Sequence, residues 1–322
     1  MRILITGAGG ASAISIWKSL NNSHELYMAD MDPCACGLYL VPNGRRFIIP
    51  RGDDPQLVFE LLKICTDYKI DVLISTVDHE LVPLALERDR FEFYGIKLPL
   101  PSVESLQICR DKLALLLRLD TVVPVPNFSL LTQKSISEHI TFPIFAKPRV
   151  SAGSRGAIIV KSRPELESLP RDESYLIQEL LPGDEYSVDV YVSSVGQVIA
   201  AVPRLRMKSD SGIAVTARTI LDQDLIDLAI CAVQALDLRY VSNVQFKRSS
   251  DGICKLLEIN PRFPGTLPLT SASGVDMPKL LISDLMGLSL PDKLMSFQEV
   301  MVVRYWAEHY LNVNEWQDLC PP

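Results

Sequence analysis

Gln245, Glu258 and Asn260 fall within a short stretch of the chain, and Arg262 follows almost at once. The segment Val241–Arg262 reads as two strands, V-S-N-V-Q-F-K-R and I-C-K-L-L-E-I-N-P-R, around the turn S-S-D-G, because apolar alternation flanks a cluster of turn formers. Strand side chains alternate between faces, so Glu258 and Asn260 project from one side about 7 Å apart. Gln245 approaches them from the paired strand. Oxygen ligands on a stiff sheet suit a hard cation. Magnesium takes one or two protein carboxylates and fills its octahedron with water and phosphate oxygens, so one carboxylate and two amides suffice when a nucleotide brings the rest. Arg262, just past the strand, offers a planar fork to phosphate. Taken alone, the segment reads equally as a surface hairpin with its polar residues in water.

Lys147 is a second such feature. In F-P-I-F-A-K-P-R-V-S-A-G-S-R-G-A it interrupts an apolar strand, and a buried ammonium without an anion is strongly unfavourable. The small residues Ser151–Gly156 then form a loop whose backbone N–H groups can close over phosphates. The competing reading is an ordinary hairpin loop beside a lysine whose head reaches water. The Gly7-Ala8-Gly9-Gly10 turn lies between a strand and a helix, where free N–H groups can cradle an anion. Ala11, Ser12 and Ala13 follow Gly10, so the dinucleotide fingerprint G-x-G-x-x-G is incomplete and a tight structural turn competes with cofactor binding. Asp30, ending the next strand, would hold a ribose hydroxyl on an NAD reading, but such acidic strand ends are common. Thr76–Glu80 lies where a fourth strand ends, at the edge of a parallel sheet where ligands sit, though a helix cap is the expected reading.

These groups need a scaffold, and the bulk properties allow a large one. With 322 residues, 48% hydrophobic and 22% charged, the chain fits two or three globular lobes. No apolar run approaches the roughly 18 residues of a spanning helix. Glycine interrupts the opening M-R-I-L-I-T-G-A-G-G too early for a secretory core, which places the chain in the cytoplasm. The seven cysteines lack C-x-x-C spacing, arguing for reduced thiols that mostly pack, and against a disulfide framework or zinc site. A net charge of −7 without a lysine/arginine tract leaves no electrostatic footprint for nucleic acid.

The N-terminal strands I-L-I-T, E-L-Y-M-A-D, R-F-I-I-P and D-V-L-I-S-T alternate with helical stretches, predicting a parallel sheet wrapped by helices and ending near Pro101. One helix is predicted from Ser102, its cap, to about Leu119, with Glu104 in the first turn where a negative charge suits the helix dipole. Short strands F-P-I-F-A-K, A-I-I-V-K, Y-L-I-Q-E and S-V-D-V-Y-V then predict an antiparallel α+β lobe. It is completed by a helix over 222–236, the hairpin, a helix over 275–288 and a last strand V-M-V-V-R-Y-W. The polar segment Arg204–Thr216 is a candidate lid.

Asp111-Lys112, Lys147-Pro148, the loop 151–156, Gln178-Glu179-Leu180-Leu181-Pro182-Gly183, Glu185, N-V-Q-F and E-I-N-P-R occur in an order and spacing that resembles the ATP-grasp superfamily. The ligases related to the carbamoyl-phosphate synthase large subunit are most alike. The resemblance spans about Met1 to Pro291. It implies an ATP-grasp fold, α/β and α+β, with a pre-ATP-grasp Rossmann-like domain over 1–101, a small lobe with its linking helix over 102–182, and a C-terminal lobe carrying the metal over 183–322. It also implies that Lys112 and Lys147 hold ATP phosphates under the loop of Gly153, Ser154 and Gly156. Glu179 and the Leu180–Leu181 backbone would face adenine, and Glu185 the ribose. Glu258 and Asn260, assisted by Gln245, would carry Mg2+ or Mn2+, and Arg262 would neutralise an acyl phosphate. The chain departs from many relatives in the two glycines of its loop and in the neutral Gln245, a residue that carbamoyl-phosphate synthase relatives also use.

The expected activity is transfer of the ATP γ-phosphoryl to a small-molecule carboxylate, then amine attack to form an amide or peptide-like bond. Arg206 and Lys208 would address the substrate carboxylate or the phosphate, or else form a solvated charge cluster. A kinase that stops at the phosphorylated product and a nucleotide-binding regulator without turnover are the alternatives. Neither nucleic acid nor membrane is an expected partner, and a homodimer through the first lobe is.

Overall fold

The computed structural model describes residues 1–317 other than Glu138, Ala152, Ser154 and Ser211. Its first sheet is parallel: β1 (Arg2–Thr6), β2 (Glu25–Asp30), β3 (Arg46–Ile48) and β4 (Val72–Ile74) lie in the order β3-β2-β1-β4. Helices α1 (Ala11–Leu20), α2 (Leu57–Asp67), α3 (Asp78–Leu86) and α4 (Arg88–Phe93) supply the connections. Ile3, Leu4, Ile5, Val72, Leu73 and Ile74 are all buried, as strands covered on both faces must be.

The expected single helix from Ser102 is two, α5 (Val103–Arg110) and α6 (Lys112–Leu119). Ser102 does cap the first, accepting from Ser105 N at 3.1 Å. The break falls at Asp111, whose backbone is extended and whose carboxylate accepts from Leu113 N at 3.0 Å, capping the second helix. Arg149 closes on the same carboxylate, with Nη2 to Oδ2 at 2.5 Å, while Lys112 N donates to Arg149 O at 3.0 Å. An aspartate with better partners outside a helix than within it ends the first helix there.

β5 (Phe128–Leu130), α7 (Gln133–Ser137), β6 (Ile144–Pro148), β7 (Ile158–Val160), α8 (Arg163–Glu167) and β8 (Tyr175–Glu179) follow, the strands forming an antiparallel sheet β5-β8-β6-β7. A six-stranded sheet lies across from it. It contains β9 (Glu185–Val192), β10 (Val198–Asp210), β11 (Ile213–Thr219), β12 (Tyr240–Arg248), β13 (Cys254–Asn260) and β14 (Met301–Val303), ordered β13-β12-β9-β10-β11-β14. Segment 204–216, expected as a lid, is thus the outer half of the β10–β11 hairpin. Helices α9 (Gln223–Ala235), α10 (Leu267–Ala272), α11 (Met277–Leu285) and α12 (Val313–Gln317) complete the chain.

Period-two alternation divides this sheet between two environments. Val188, Val190, Val244, Phe246, Leu256 and Ile259 pack with Leu225, Ala229 and Val233 of α9. From the other face, Tyr191, Ala200, Val202 and Val241 join the core of α1 and the parallel sheet. Farther along that face lie Ser187, Asp189, Asn243, Gln245, Glu258 and Asn260, paired across neighbouring strands in register.

The cysteines divide evenly among the described residues, correcting the expectation that most of them pack. Cys65, Cys109 and Cys254 are buried, and Cys34, Cys36 and Cys231 are exposed; Cys320 lies outside the described residues. Burial pushes the Cys65 and Cys109 thiols up to about 12.

The glycine turn at the end of β1 spends its donors internally: Ala8 N on Ala29 O, Gly9 N on Asp30 Oδ2 and Gly10 N on Gly7 O. Asp30 therefore braces the turn. The strand order reverses between β1 and β4, where an open parallel sheet usually takes its ligand. Beside that point buried Glu80 accepts from the hydroxyls of Thr6 and Ser75, and Thr76 Oγ1 donates to Thr6 O at 2.8 Å. Burial pushes the Glu80 carboxyl upward, against those hydrogen bonds. Gly7 is needed because its φ is +70° and a Cβ there would sit 2.6 Å from Thr76 Oγ1. Gly7→Ala is expected to lose about 1–3 kcal/mol of stability. A urea midpoint equal to that of the wild type would contradict this account of the turn.

Candidate active site

The 241–262 hairpin forms as expected, with Gln245 opposite Glu258 and Asn243 opposite Asn260. Just beyond Gln245 the register slips, so that Phe246 faces Leu256 and Leu257 has no opposite number. Such a bulge re-aims the backbone, and bulges gather beside active sites. The Leu257 carbonyl accepts from Lys147 Nζ at 3.2 Å, joining β6 of the small sheet to β13 of the large one.

Lys147 is 5% exposed and Lys112 6%. Burial pulls the Lys147 ammonium down to about 8, with Glu258 opposing and Lys112 adding to the fall. The Lys112 ammonium is lowered too, by burial first, against Glu258, Asp78 and Asp111. Its Nζ donates to Ser151 O at 2.9 Å and Ser151 Oγ at 3.2 Å. Lys112 opens helix α6, an unfavourable end for a cation. One cleft between the sheets is lined by both lysines together with Phe145, Ser151, Gln178, Leu180, Leu181, Glu185, Gln245, Lys247 and Glu258. The lining thus carries three ammonium groups, Lys112, Lys147 and Lys247, and two carboxylates, Glu258 and Glu185, of which Glu185 is paired with Arg206.

Other expected residues lie elsewhere or are already engaged. The Glu179 carboxylate accepts from Lys255 Nζ at 2.6 Å and Asn127 N at 2.7 Å, while the preceding residue, Gln178, lines the cleft. Glu185 does line it, and pairs with Arg206 Nε at 3.1 Å. Arg206 also donates to Gly212 O at 2.9 Å, and its side chain is only 9% exposed, so it does not belong to a solvated charge cluster; Lys208 is exposed. In the loop 151–156, Gly153 and Gly156 have positive φ, and Ser154 lies outside the described residues. A Cβ on Gly212, at the tip of the β10–β11 hairpin, would stand 3.6 Å from Gly153 Cα, so the loop and the hairpin meet over the cleft.

Arg262 grips Asp78 in a two-pronged pair, Nε to Oδ1 and Nη2 to Oδ2, both 2.7 Å, and donates from Nη1 to Phe263 O. Burial opposes its charge, but Asp78 more than compensates. Asp78 was expected among cap residues, yet the N-cap of α3 is Val77, without a side-chain cap, and the carboxylate turns instead to Arg262. Sequence spacing carries no signal for a pair 184 residues apart.

Among the described residues, no three His, Cys, Asp or Glu side chains are grouped to hold a metal. The hairpin's own donor set still suits a hard cation. Asn260 Nδ2 donates to Glu258 Oε1 at 3.2 Å, and Gln245 Nε2 donates to Asn243 Oδ1 at 3.1 Å. Each bond turns an amide nitrogen inward and leaves oxygen as the other end. One carboxylate and two amide oxygens match magnesium's preference, with phosphate and water as further ligands.

Residues 171–309 match the family model described as ATP-grasp in the biosynthetic pathway with Ter operon, and residues 3–99 match that of the PylC-like N-terminal domain. A D-alanine–D-alanine ligase of Thermotoga petrophila is 30% identical over 122 residues, covering 36% of this chain and 40% of that protein. The arginine-specific large chain of carbamoyl phosphate synthase from Bacillus subtilis is 28% identical over 172 residues, covering 49% of this chain and 17% of its own length. The chain therefore matches less than half the length of these curated relatives. The crystal structure of a biotin carboxylase–β,γ-ATP complex from Campylobacter jejuni superposes with a TM-score of 0.73 at 18% identity, covering 90% of this chain and 72% of that one. This last is a likeness of fold. Residues 171–309 thus resemble an ATP-grasp domain and residues 3–99 a PylC-like N-terminal domain, in a chain whose lysine-lined cleft lies between two sheets.

Proposed function

We propose that the chain is an ATP-dependent carboxylate–amine ligase that makes an amide or peptide-like bond through an acyl phosphate. The observation that carries this reading is the charge imbalance of the cleft, where the buried Lys112 and Lys147 and the neighbouring Lys247 face the carboxylates of Glu258 and Glu185, the latter already paired with Arg206. A polyphosphate would supply the missing negative charge. The ligases among the relatives support the same reading.

In the first step a carboxylate oxygen attacks the γ-phosphorus and the bond to ADP breaks. In the second an amine nitrogen attacks the acyl carbon, phosphate leaves with the bonding electrons, and the nitrogen loses its proton. Neither step needs a nucleophilic side chain, because phosphoryl transfer depends on alignment and charge compensation. Lys112 and Lys147 would steady the phosphates, Glu185 the ribose, and Leu180 and Leu181 the base. Arg262 engages three of its five N–H donors on Asp78 and Phe263, so two remain for an acyl phosphate. Glu258, Asn260 and Gln245 would hold Mg2+, which when bound neutralises phosphate charge. Loop 151–156 and the β10–β11 tip would exclude water from the mixed anhydride.

Lys147→Ala and Glu258→Ala are each expected to lower turnover by at least about a hundredfold with the fold retained. The measurement is ATP-dependent product formation, by mass spectrometry with pooled amino acids and small acids. A stable phosphorylated product formed without any amine would overturn the ligase assignment.

The depressed Lys147 pKa adds a second expectation. Nucleotide selects the ammonium form, so affinity for a nonhydrolysable ATP analogue is steady below pH 8 and declines as pH rises through about 8. By pH 9 the loss is about tenfold, with proton uptake on binding. Calorimetry in buffers of different ionisation enthalpy reads both quantities. Lys147→Met should abolish the slope, and a flat wild-type profile would contradict the assignment.

A further inference from the structure

Asp189 sits on β9, in the interior of the six-stranded sheet, and is fully buried. Its Oδ1 accepts from Arg204 Nη2 at 2.6 Å and Asn243 Nδ2 at 2.7 Å, and its Oδ2 from Thr270 Oγ1 at 2.5 Å. Arg204 is equally enclosed, at 1% exposure, so the ion pair is shut off from the cleft's solvent. None of these groups enters the phosphoryl-transfer chemistry above, yet they lie on the sheet face that carries Gln245 and Glu258.

The donors and acceptors fix a direction. An ionised carboxylate only accepts, so Asn243 must present its nitrogen to Asp189. The Asn243 oxygen then faces onward and takes a hydrogen bond from Gln245 Nε2 at 3.1 Å. Gln245 must therefore turn its Oε1 away from Asn243, into the cleft it shares with Glu258. An amide free to rotate would present –NH2 half the time, and –NH2 repels a cation. From this geometry we infer that Asp189, acting through Asn243, is a positioning device that makes Gln245 present oxygen to a divalent cation. The inference rests on the Mg–ATP reading proposed above.

The test is a double-mutant cycle read by Mn2+ binding, using electron paramagnetic resonance of the free ion with a nonhydrolysable ATP analogue present. Asn243→Leu keeps the side-chain volume but frees the Gln245 amide, and should weaken Mn2+ binding about tenfold. Metal-free analogue affinity should stay unchanged. In a Gln245→Glu background the two oxygens are equivalent, so adding Asn243→Leu should then cost less than about twofold. An equal loss in both backgrounds would show Asn243 to be merely structural and overturn the inference. Should Asn243→Leu fail to fold, Asn243→Ala carries the same contrast, because it likewise removes the oxygen that receives the Gln245 hydrogen bond. If the wild type bound Mn2+ and analogue normally but the cycle were additive, only the relay would fall. If the wild type bound neither, the ligase reading would fall with it.

Discussion

The burial of the Lys147 ammonium is the constraint around which the cleft is arranged. A shift from 10.5 to about 8 corresponds to about 3 kcal/mol of unfavourable desolvation at neutral pH. Relative to the unfolded chain the folded state favours the neutral amine, so stability is greatest above 10.5, falls as pH drops from 10.5 to about 8, and is level below that. The fold tolerates this because the surrounding groups are held rigidly. Lys147 finds a carbonyl where the β13 bulge turns Leu257 outward, and Lys112 is anchored by the helix break at Asp111 and by Ser151. On the proposed reading, charge placed in advance beside the phosphates needs no reorganisation at the moment of reaction.

The six-stranded sheet allows this because its two faces are assigned to different tasks. The apolar face packs on α9, a helix capped by Asp222 through Leu225 N at 3.1 Å. The other face is apolar where it meets the N-terminal core and polar where it meets the cleft. Between these two zones lies the Asp189–Arg204 pair. A buried ion pair adds little net stability, and breaking one by removing a partner is strongly destabilising. Its physical value here is directional, since a carboxylate that can only accept imposes one orientation on the neighbouring amides.

Several of these features were legible in the chain itself. The hairpin, and the facing of Gln245 and Glu258, follow from alternation around a turn cluster, and Lys147 stands out because it interrupts an apolar strand. The same logic applied to V-D-V would have singled out Asp189, a charge flanked by valines. Other features depend on tertiary partners. The break at Asp111 reflects Arg149, which lies 38 residues away. The strand character of segment 204–216 was hidden because the bulges between β10 and β11 break the alternation. Glu179 belongs to the motif string, but a lysine on β13 and a backbone amide draw its carboxylate to themselves.

The N-terminal domain contributes through a route that its glycine turn conceals. The turn and the reversal point between β1 and β4 are braced by Asp30, Glu80 and Thr76. The next residues nevertheless reach the cleft. Asp78, opening α3, fixes the Arg262 guanidinium at the end of β13, and so aligns a cation on one domain from a strand end on the other. Losing that carboxylate would leave the arginine charged and free to rotate, so the placement of the guanidinium depends on the relative position of the two domains. The parallel sheet thus reaches the end of β13 through the first residue of α3 rather than through its glycine turn.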